Sequence, residues 1–257
     1  MLKSALSVAC VLAFTALAAP AFAATAPECS ANATLDLRVK AAMAMADRPA
    51  EQTALDASRL SEVQFVLAHV KPGDRVLDLG AGKGYSSMIL SAAVCDGSVD
   101  SQNPEEWDVK YKEGPARQAI AAARPNIHLL TVDFDKVPKP AKPYDVIFVG
   151  TIYHDTYNVP GSNALTLDTA LKGLLKRGGI VVLTDHRTAD GKGFSETSTL
   201  HRIDKATVIA DFKAAGFKLV EDSPALANAA DDHSKMVFDP SIRGHTDRMA
   251  LVFRKTK

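Results

Sequence analysis

Three glycines at alternate positions, Gly80, Gly82 and Gly84, follow Asp78 and run directly into Tyr85, and a second reactive group, Tyr153-His154-Asp155, lies downstream. Glycines so spaced, with Ala81 between the first two, supply positive φ and let backbone approach a bound molecule closely. A helix starting near Tyr85 would point its free N–H groups into the same space. This is a cradle for a small molecule. Tyr153, His154 and Asp155 offer a phenol, an imidazole and a carboxylate, a set that can position a nucleophile or take its proton. His186 and His201 add two imidazoles. With His154 and Asp155 they would suit zinc or another first-row ion, but their spacing matches no compact ligand motif, and no metal is assigned.

A cradle of this kind needs a strand to end on. Residues 76–79 are apolar except for Asp78 and read as a buried parallel strand, with a helix expected over 85–94. The spacing then selects the ligand. A dinucleotide fingerprint requires G-x-G-x-x-G; here the third glycine comes one residue early and Tyr85 fills the slot, which argues against a nicotinamide oxidoreductase. The run Asp-x-Gly-x-Gly-x-Gly resembles instead the first motif of the class I S-adenosylmethionine-dependent methyltransferases.

That resemblance implies a Rossmann-like, doubly wound, seven-stranded and mostly parallel sheet with an antiparallel C-terminal edge strand, and S-adenosylmethionine as cofactor. It puts Asp78, Gly80, Ala81, Gly82, Gly84 and Tyr85 against the donor. Gln102 and Asn103, at the tip of the second strand, stand where the family usually has an acid for the ribose, and an amide can donate to and accept from a diol. Asp133 and Phe134, after the third strand, stand where the family contacts adenine. Tyr153, His154 and Asp155, after the fourth, stand where donor and acceptor meet. More narrowly, Tyr153-His154-Asp155, His201-Arg202-Ile203-Asp204 and Phe238-Asp239-Pro240 with Arg243-Gly244 resemble a group of exported bacterial proteins classed as predicted methyltransferases. The resemblance names no substrate; a small molecule is the expected partner.

The rest of the chain fits such a sheet. Strands are expected at 98–102, 127–132, 144–149, 180–183, 217–221 and 248–254, and helices at 35–46, 50–70, 115–124, 165–177 and 204–215, the last capped by Asp204 and stopped by Gly216. Alternation of the two implies a parallel sheet covered on both faces. The final two strands have no helix between them, which implies antiparallel pairing. The polar segment 187–199 reads as a mobile cover.

Composition excludes some partners. With 47% hydrophobic and 23% charged residues, the 257-residue chain can build a substantial core. Net charge is zero and no basic stripe is present, so nucleic acid is not an expected partner. Residues 1–23 have the positive start, apolar run and small-x-small end of a cleavable signal peptide, with the cut after Ala23 and the periplasm as destination. No membrane span is expected after cleavage. Residues 24–48 form a lead and helix, and 49–257 the α/β domain. Cleavage leaves Cys29 and Cys95, either joined as one disulfide or present as separate thiols. Two rival readings stand beside the enzyme. One is a non-catalytic ligand-binding protein on the same fold, since the methyl donor is made in the cytoplasm. The other is a metal-binding protein using His154, His186 and His201.

Overall fold

The structure is a computed structural model that describes residues 26–30 and 32–256. The expected signal peptide lies outside the described residues. Seven strands form one sheet: β1 (Arg75–Leu79), β2 (Ser98–Asn103), β3 (Ile127–Thr131), β4 (Tyr144–Gly150), β5 (Leu175–His186), β6 (Phe217–Ser223) and β7 (Arg248–Lys255), in the order β3-β2-β1-β4-β5-β7-β6. Strands β1 to β5 pair in parallel, and β7 runs antiparallel to both β5 and β6. This is the expected fold class. Strand β7 inserts between β5 and β6, so β6 closes that side.

Nine α-helices accompany the sheet among the described residues: α1 (Leu35–Met43), α2 (Ala50–Thr53), α3 (Asp56–Leu67), α4 (Tyr85–Ala93), α5 (Glu105–Lys110), α6 (Gly114–Ala123), α7 (Tyr153–Thr156), α8 (Ala164–Leu174) and α9 (Lys205–Ala214). Alternate strand residues face opposite layers. Val76, Val146, Phe148 and Val182 pack with α1, α3 and α4, whereas Leu77, Leu79, Ile147 and Val149 pack with α8 and α9. Burial on both faces explains why these strands read as nearly unbroken apolar runs. None of the helices is long and apolar enough to cross a membrane.

Four segments differ from expectation, the first being β5, which begins at Leu175, inside the helix foreseen at 165–177. The helix foreseen at 50–70 is broken into α2 and α3 at Ala54 and Leu55. The break lets Gln52 turn inward and donate from Nε2 to the Lys83 carbonyl at 3.3 Å, so α2 lies over the glycine turn. Helix α5 was not expected; Pro104 precedes it and Glu105, Glu106 and Asp108 crowd its first turn, where negative charge is favoured. The polar segment 187–199 is not a loose cover, because Thr188 and Thr197 are buried, Thr188 donating to Glu196 within it and Thr197 to Asn158 beyond α7. Asp204 caps α9 by accepting from Ala206 N at 2.8 Å, and Gly216 ends the turn at φ +82°, both as foreseen.

The order reverses at β1, whose two neighbours are β2 and β4. Chain leaving β1 and chain leaving β4 therefore diverge to opposite sides and open a crevice at their carboxyl ends. Ligands of open α/β sheets bind at such switch points.

Candidate functional site

The glycine turn stands at that switch point. Gly80, Gly82 and Gly84 all have left-handed φ, at +67°, +56° and +83°. A Cβ at Gly80 would sit 2.9 Å from Ile152 Cγ1, and one at Gly84 only 2.1 Å from Ile120 Cδ1. A Cβ at either position would force the Ile152 or Ile120 side chain to move, and the left-handed φ would strain it in addition. The turn bounds a crevice of about 410 Å³ lined by Asp78, Gly82, Tyr85, Phe148, Thr151 and Arg243 among others. At its floor the Asp78 carboxylate accepts from Ser87 Oγ at 2.6 Å, yet burial outweighs that bond and pushes the carboxyl up to about 6. Tyr85 donates to Asp56 Oδ1 at 2.9 Å, and the Arg59 guanidinium lies 4.4 Å above its ring. Arg59 is itself held by Glu62, at 2.8 Å from Nε.

Gln102 and Asn103 are not turned toward a ribose. Gln102 Oε1 accepts from Gly80 N at 3.0 Å and its Nε2 donates to the Val132 carbonyl at 2.6 Å. Asn103 Oδ1 accepts from Gly82 N at 3.0 Å, and its Nδ2 donates to Asp108 Oδ1 and Glu113 Oε2 at 2.9 and 3.0 Å. Both side chains are fully buried. They brace the glycine turn, whose N–H groups would otherwise lack partners. A carboxylate does stand beside the turn: Oε1 of Glu113, just before α6, lies 3.6 Å from the position of a Cβ on Gly82. Burial and the neighbouring Asp108 raise its carboxyl above the usual range.

Asp133 and Phe134 line a second crevice, of about 210 Å³, with Trp107, Lys136 and Pro160. Trp107 meets Phe134 edge-on at 5.2 Å. The result is an aromatic wall beside a carboxylate, one oxygen of which accepts from Lys136 Nζ at 2.7 Å; the wall and the other oxygen suit a purine's ring and exocyclic amine. Sequence reasoning passed over Trp107, although it is the chain's single tryptophan and follows a proline and two acids that mark a helix start.

The Tyr153-His154-Asp155 group is split by its own helix. Tyr153 is fully buried below the surface; its hydroxyl donates to Asp168 Oδ2 at 2.9 Å and contacts Asp211 at 3.2 Å, and its ring packs on Phe212. It therefore cannot touch an acceptor, contrary to expectation, and burial beside two carboxylates pushes its phenol far above the usual range. His154 turns the other way. Its Nδ1 lies 2.7 Å from Asp185 Oδ1, and its backbone N–H donates to Asp185 Oδ2 at 2.8 Å. Burial alone would lower the imidazole, but the Asp185 charge and hydrogen bond raise it above its ordinary value. Nε2 of His154 faces His201 Nδ1 and Asp155 Oδ1. His186 stays outside this group, because its Nδ1 pairs with Thr246 Oγ1 at 2.8 Å and burial drives it down to about 3. Arg243 links the two regions: it lines the donor-sized crevice and lies over Phe238, which packs against His201 at 5.1 Å.

A family model described as protein-L-isoaspartate(D-aspartate) O-methyltransferase matches residues 39–189. Among individual proteins, the chain is similar to protein-L-isoaspartate O-methyltransferase from Pyrococcus horikoshii, 31% identical over 101 residues, covering 39% of this chain and 44% of that enzyme. The chain spans less than half the length of the curated relatives it matches. Two solved structures share the fold. One is a SAM-dependent methyltransferase from Aquifex aeolicus (TM-score 0.56, 20% identity, covering 81% of this chain and 99% of that one). The other is 1,6-didemethyltoxoflavin-N1-methyltransferase from Burkholderia thailandensis, with bound 1,6-didemethyltoxoflavin and S-adenosylhomocysteine (TM-score 0.52, 18% identity, covering 81% and 82%).

Proposed function

The chain belongs to the protein-L-isoaspartate(D-aspartate) O-methyltransferase family, and on that premise we propose that this S-adenosylmethionine-dependent methyltransferase acts in the periplasm on a small-molecule acceptor held at the tip of β4. The observation that carries the reading is the crevice between Asp78, Gly82 and Thr151, lined by the left-handed backbone of Gly80 and Gly82.

When bound, S-adenosylmethionine supplies a methyl group already activated as a sulfonium. What remains for the protein is alignment, which alone can supply several kcal/mol. Asp78 at the crevice floor offers a carboxylate to the donor's ammonium. Glu113, beside Gly82, replaces the absent strand-tip acid as a partner for the ribose hydroxyls. Trp107, Phe134 and Asp133 provide the wall and the carboxylate for the base. His154 and Asp155 present the acceptor, and Asp185 fixes the imidazole's orientation. Periplasmic residence is supported by the Cys29–Cys95 disulfide, with Cα atoms 5.8 Å apart, since such bonds persist in oxidising compartments.

Calorimetry on the mature chain tests the donor assignment. S-adenosylmethionine and S-adenosylhomocysteine should bind, NAD should not, and Gly82→Val should abolish binding while circular dichroism stays unchanged. Binding of NAD, or of neither nucleoside, would overturn it. Incubation with methyl-labelled donor and envelope extracts then tests the acceptor class: label in the low-mass fraction supports a small molecule, and label confined to protein refutes it. N-terminal sequencing of the periplasmic fraction should begin at Ala24.

A further inference from the structure

Three ligand-type atoms that the sequence scatters meet at one end of α7. The distances are 3.3 Å from His154 Nε2 to His201 Nδ1, 3.4 Å from His154 Nε2 to Asp155 Oδ1, and 3.2 Å from His201 Nδ1 to Asp155 Oδ1. A zinc ion with bonds of about 2.0–2.1 Å to nitrogen and oxygen keeps tetrahedral ligand atoms roughly 3.3–3.4 Å apart. The triangle has the dimensions of one face of that tetrahedron.

Proton accounting points the same way. Asp185 Oδ1 is an acceptor 2.7 Å from His154 Nδ1, so the imidazole carries its proton on Nδ1 and presents a lone pair at Nε2. That lone pair faces the Asp155 carboxylate, another acceptor. With neutral imidazoles a proton on His201 Nδ1 bridges one side of the triangle, and the side between His154 and Asp155 then needs either a second proton or a cation. A single cation among all three satisfies every side. Asp185 is fully buried and accepts from the backbone of His154 as well, which holds the ring rigidly and makes Nε2 a better donor to a metal. His201 adopts φ +55°, a left-handed conformation that strains a non-glycine residue. Phe238 packs on its ring and keeps it in place.

We propose that His154, Asp155 and His201 form a binding site for a first-row divalent metal ion such as zinc. Two imidazoles and one carboxylate favour such an ion over magnesium or calcium. The side chain of His154 is 3% exposed, whereas those of Asp155 and His201 are 24% and 28% exposed. The fourth coordination position therefore opens toward solvent and is free for an oxygen ligand. Only the use of the site, to hold an acceptor's oxygen at the tip of β4, rests on the methyltransferase reading; its existence does not.

Cobalt titration tests the site. The untagged mature chain, stripped with a chelator, should bind one equivalent of Co²⁺ with visible d–d absorption typical of tetrahedral nitrogen and oxygen ligation, and Zn²⁺ should displace it. His201→Ala and Asp155→Asn should each weaken binding by more than about tenfold, and Asp185→Asn by about 10- to 100-fold. His128→Ala, an exposed histidine on β3, should bind as the parent does. The first two side chains are partly exposed, and thermal melts will verify that both variants fold. Absence of a saturable cobalt site, or unchanged affinity in His201→Ala, would overturn the proposal. Calorimetry with S-adenosylhomocysteine on the same samples separates the two readings: donor binding without cobalt sinks only the metal site, and cobalt without donor binding sinks only the methyltransferase.

Discussion

The side-chain carbonyl of Gln102 accepts from the backbone N–H of Gly80 at 3.0 Å, tying the tip of β2 to the turn that follows β1. A backbone donor with no secondary-structure partner thereby gains one at the point where the chain must bend. Gln102→Ala should leave that buried N–H and the Val132 carbonyl unpaired, at a cost of about 1–3 kcal/mol per group. Donor affinity should fall together with thermal stability, because the turn itself loosens. Calorimetry and thermal melts on one preparation check the coupling; lost stability with intact affinity would contradict it.

Tyr153 and His154 are neighbours with different tasks. Tyr153→Phe removes the hydroxyl shared with Asp168 and Asp211, and should lower stability by about 1–3 kcal/mol without changing turnover of folded protein. His154→Ala should do the reverse, cutting turnover by about 100-fold or more while donor affinity changes little. Single-turnover assays with labelled donor, alongside denaturant titrations, separate the two. Equal losses of turnover would return Tyr153 to the reactive group.

How far these roles could be read from the chain depends on how local their causes are. The glycine turn was legible because positive φ and close approach are constraints on those residues alone. Asp204 and Gly216 were legible for the same reason. Gln102 and Asn103 were correctly placed at a strand tip, but which way an amide points there is decided by unpaired N–H groups on another strand. Adjacent residues on a helix project about 100° apart, so a cluster such as Tyr153-His154-Asp155 cannot all face one ligand, and only packing against Phe212 decides which member turns inward. His201 reaches His154 across 47 positions of sequence, a contact made by the fold and by no motif. Sequence leaves the disulfide open, and it is the packing of α1 against both α4 and the segment Pro27–Cys29 that brings Cys29 and Cys95 together.

Donor binding should depend on pH through Asp78. Burial raises its carboxyl to about 6, despite the Ser87 hydrogen bond that lowers it. A raised carboxyl means that the folded state prefers the proton: this group's contribution to stability is full below its unfolded value near 3.8 and is lost as pH rises through about 6. A cationic donor favours the opposite, charged form. Affinity should therefore weaken by about tenfold between pH 7 and pH 5. Ser87→Ala, which removes the bond that lowers Asp78, should move the midpoint upward. Calorimetry across pH checks both; a flat profile would remove Asp78 from the donor site.

Acid stability should depend on Glu62. Its carboxylate is fully buried, yet Arg59, Arg248 and the Thr184 hydroxyl together outweigh burial and hold it down at about 2. A depressed carboxyl contributes stability that is present above the unfolded value of 4.5 and is lost as pH falls through about 2. Glu62→Gln leaves Arg59 without its partner, so the variant should be less stable than the parent at neutral pH, and the gap should close progressively below pH 4. Because Arg59 also covers the Tyr85 ring at 4.4 Å, the same change should weaken donor binding. Chemical denaturation from pH 3 to pH 8 measures the gap; a difference that stays constant across that range would show that the Arg59–Glu62 pair carries no linked proton.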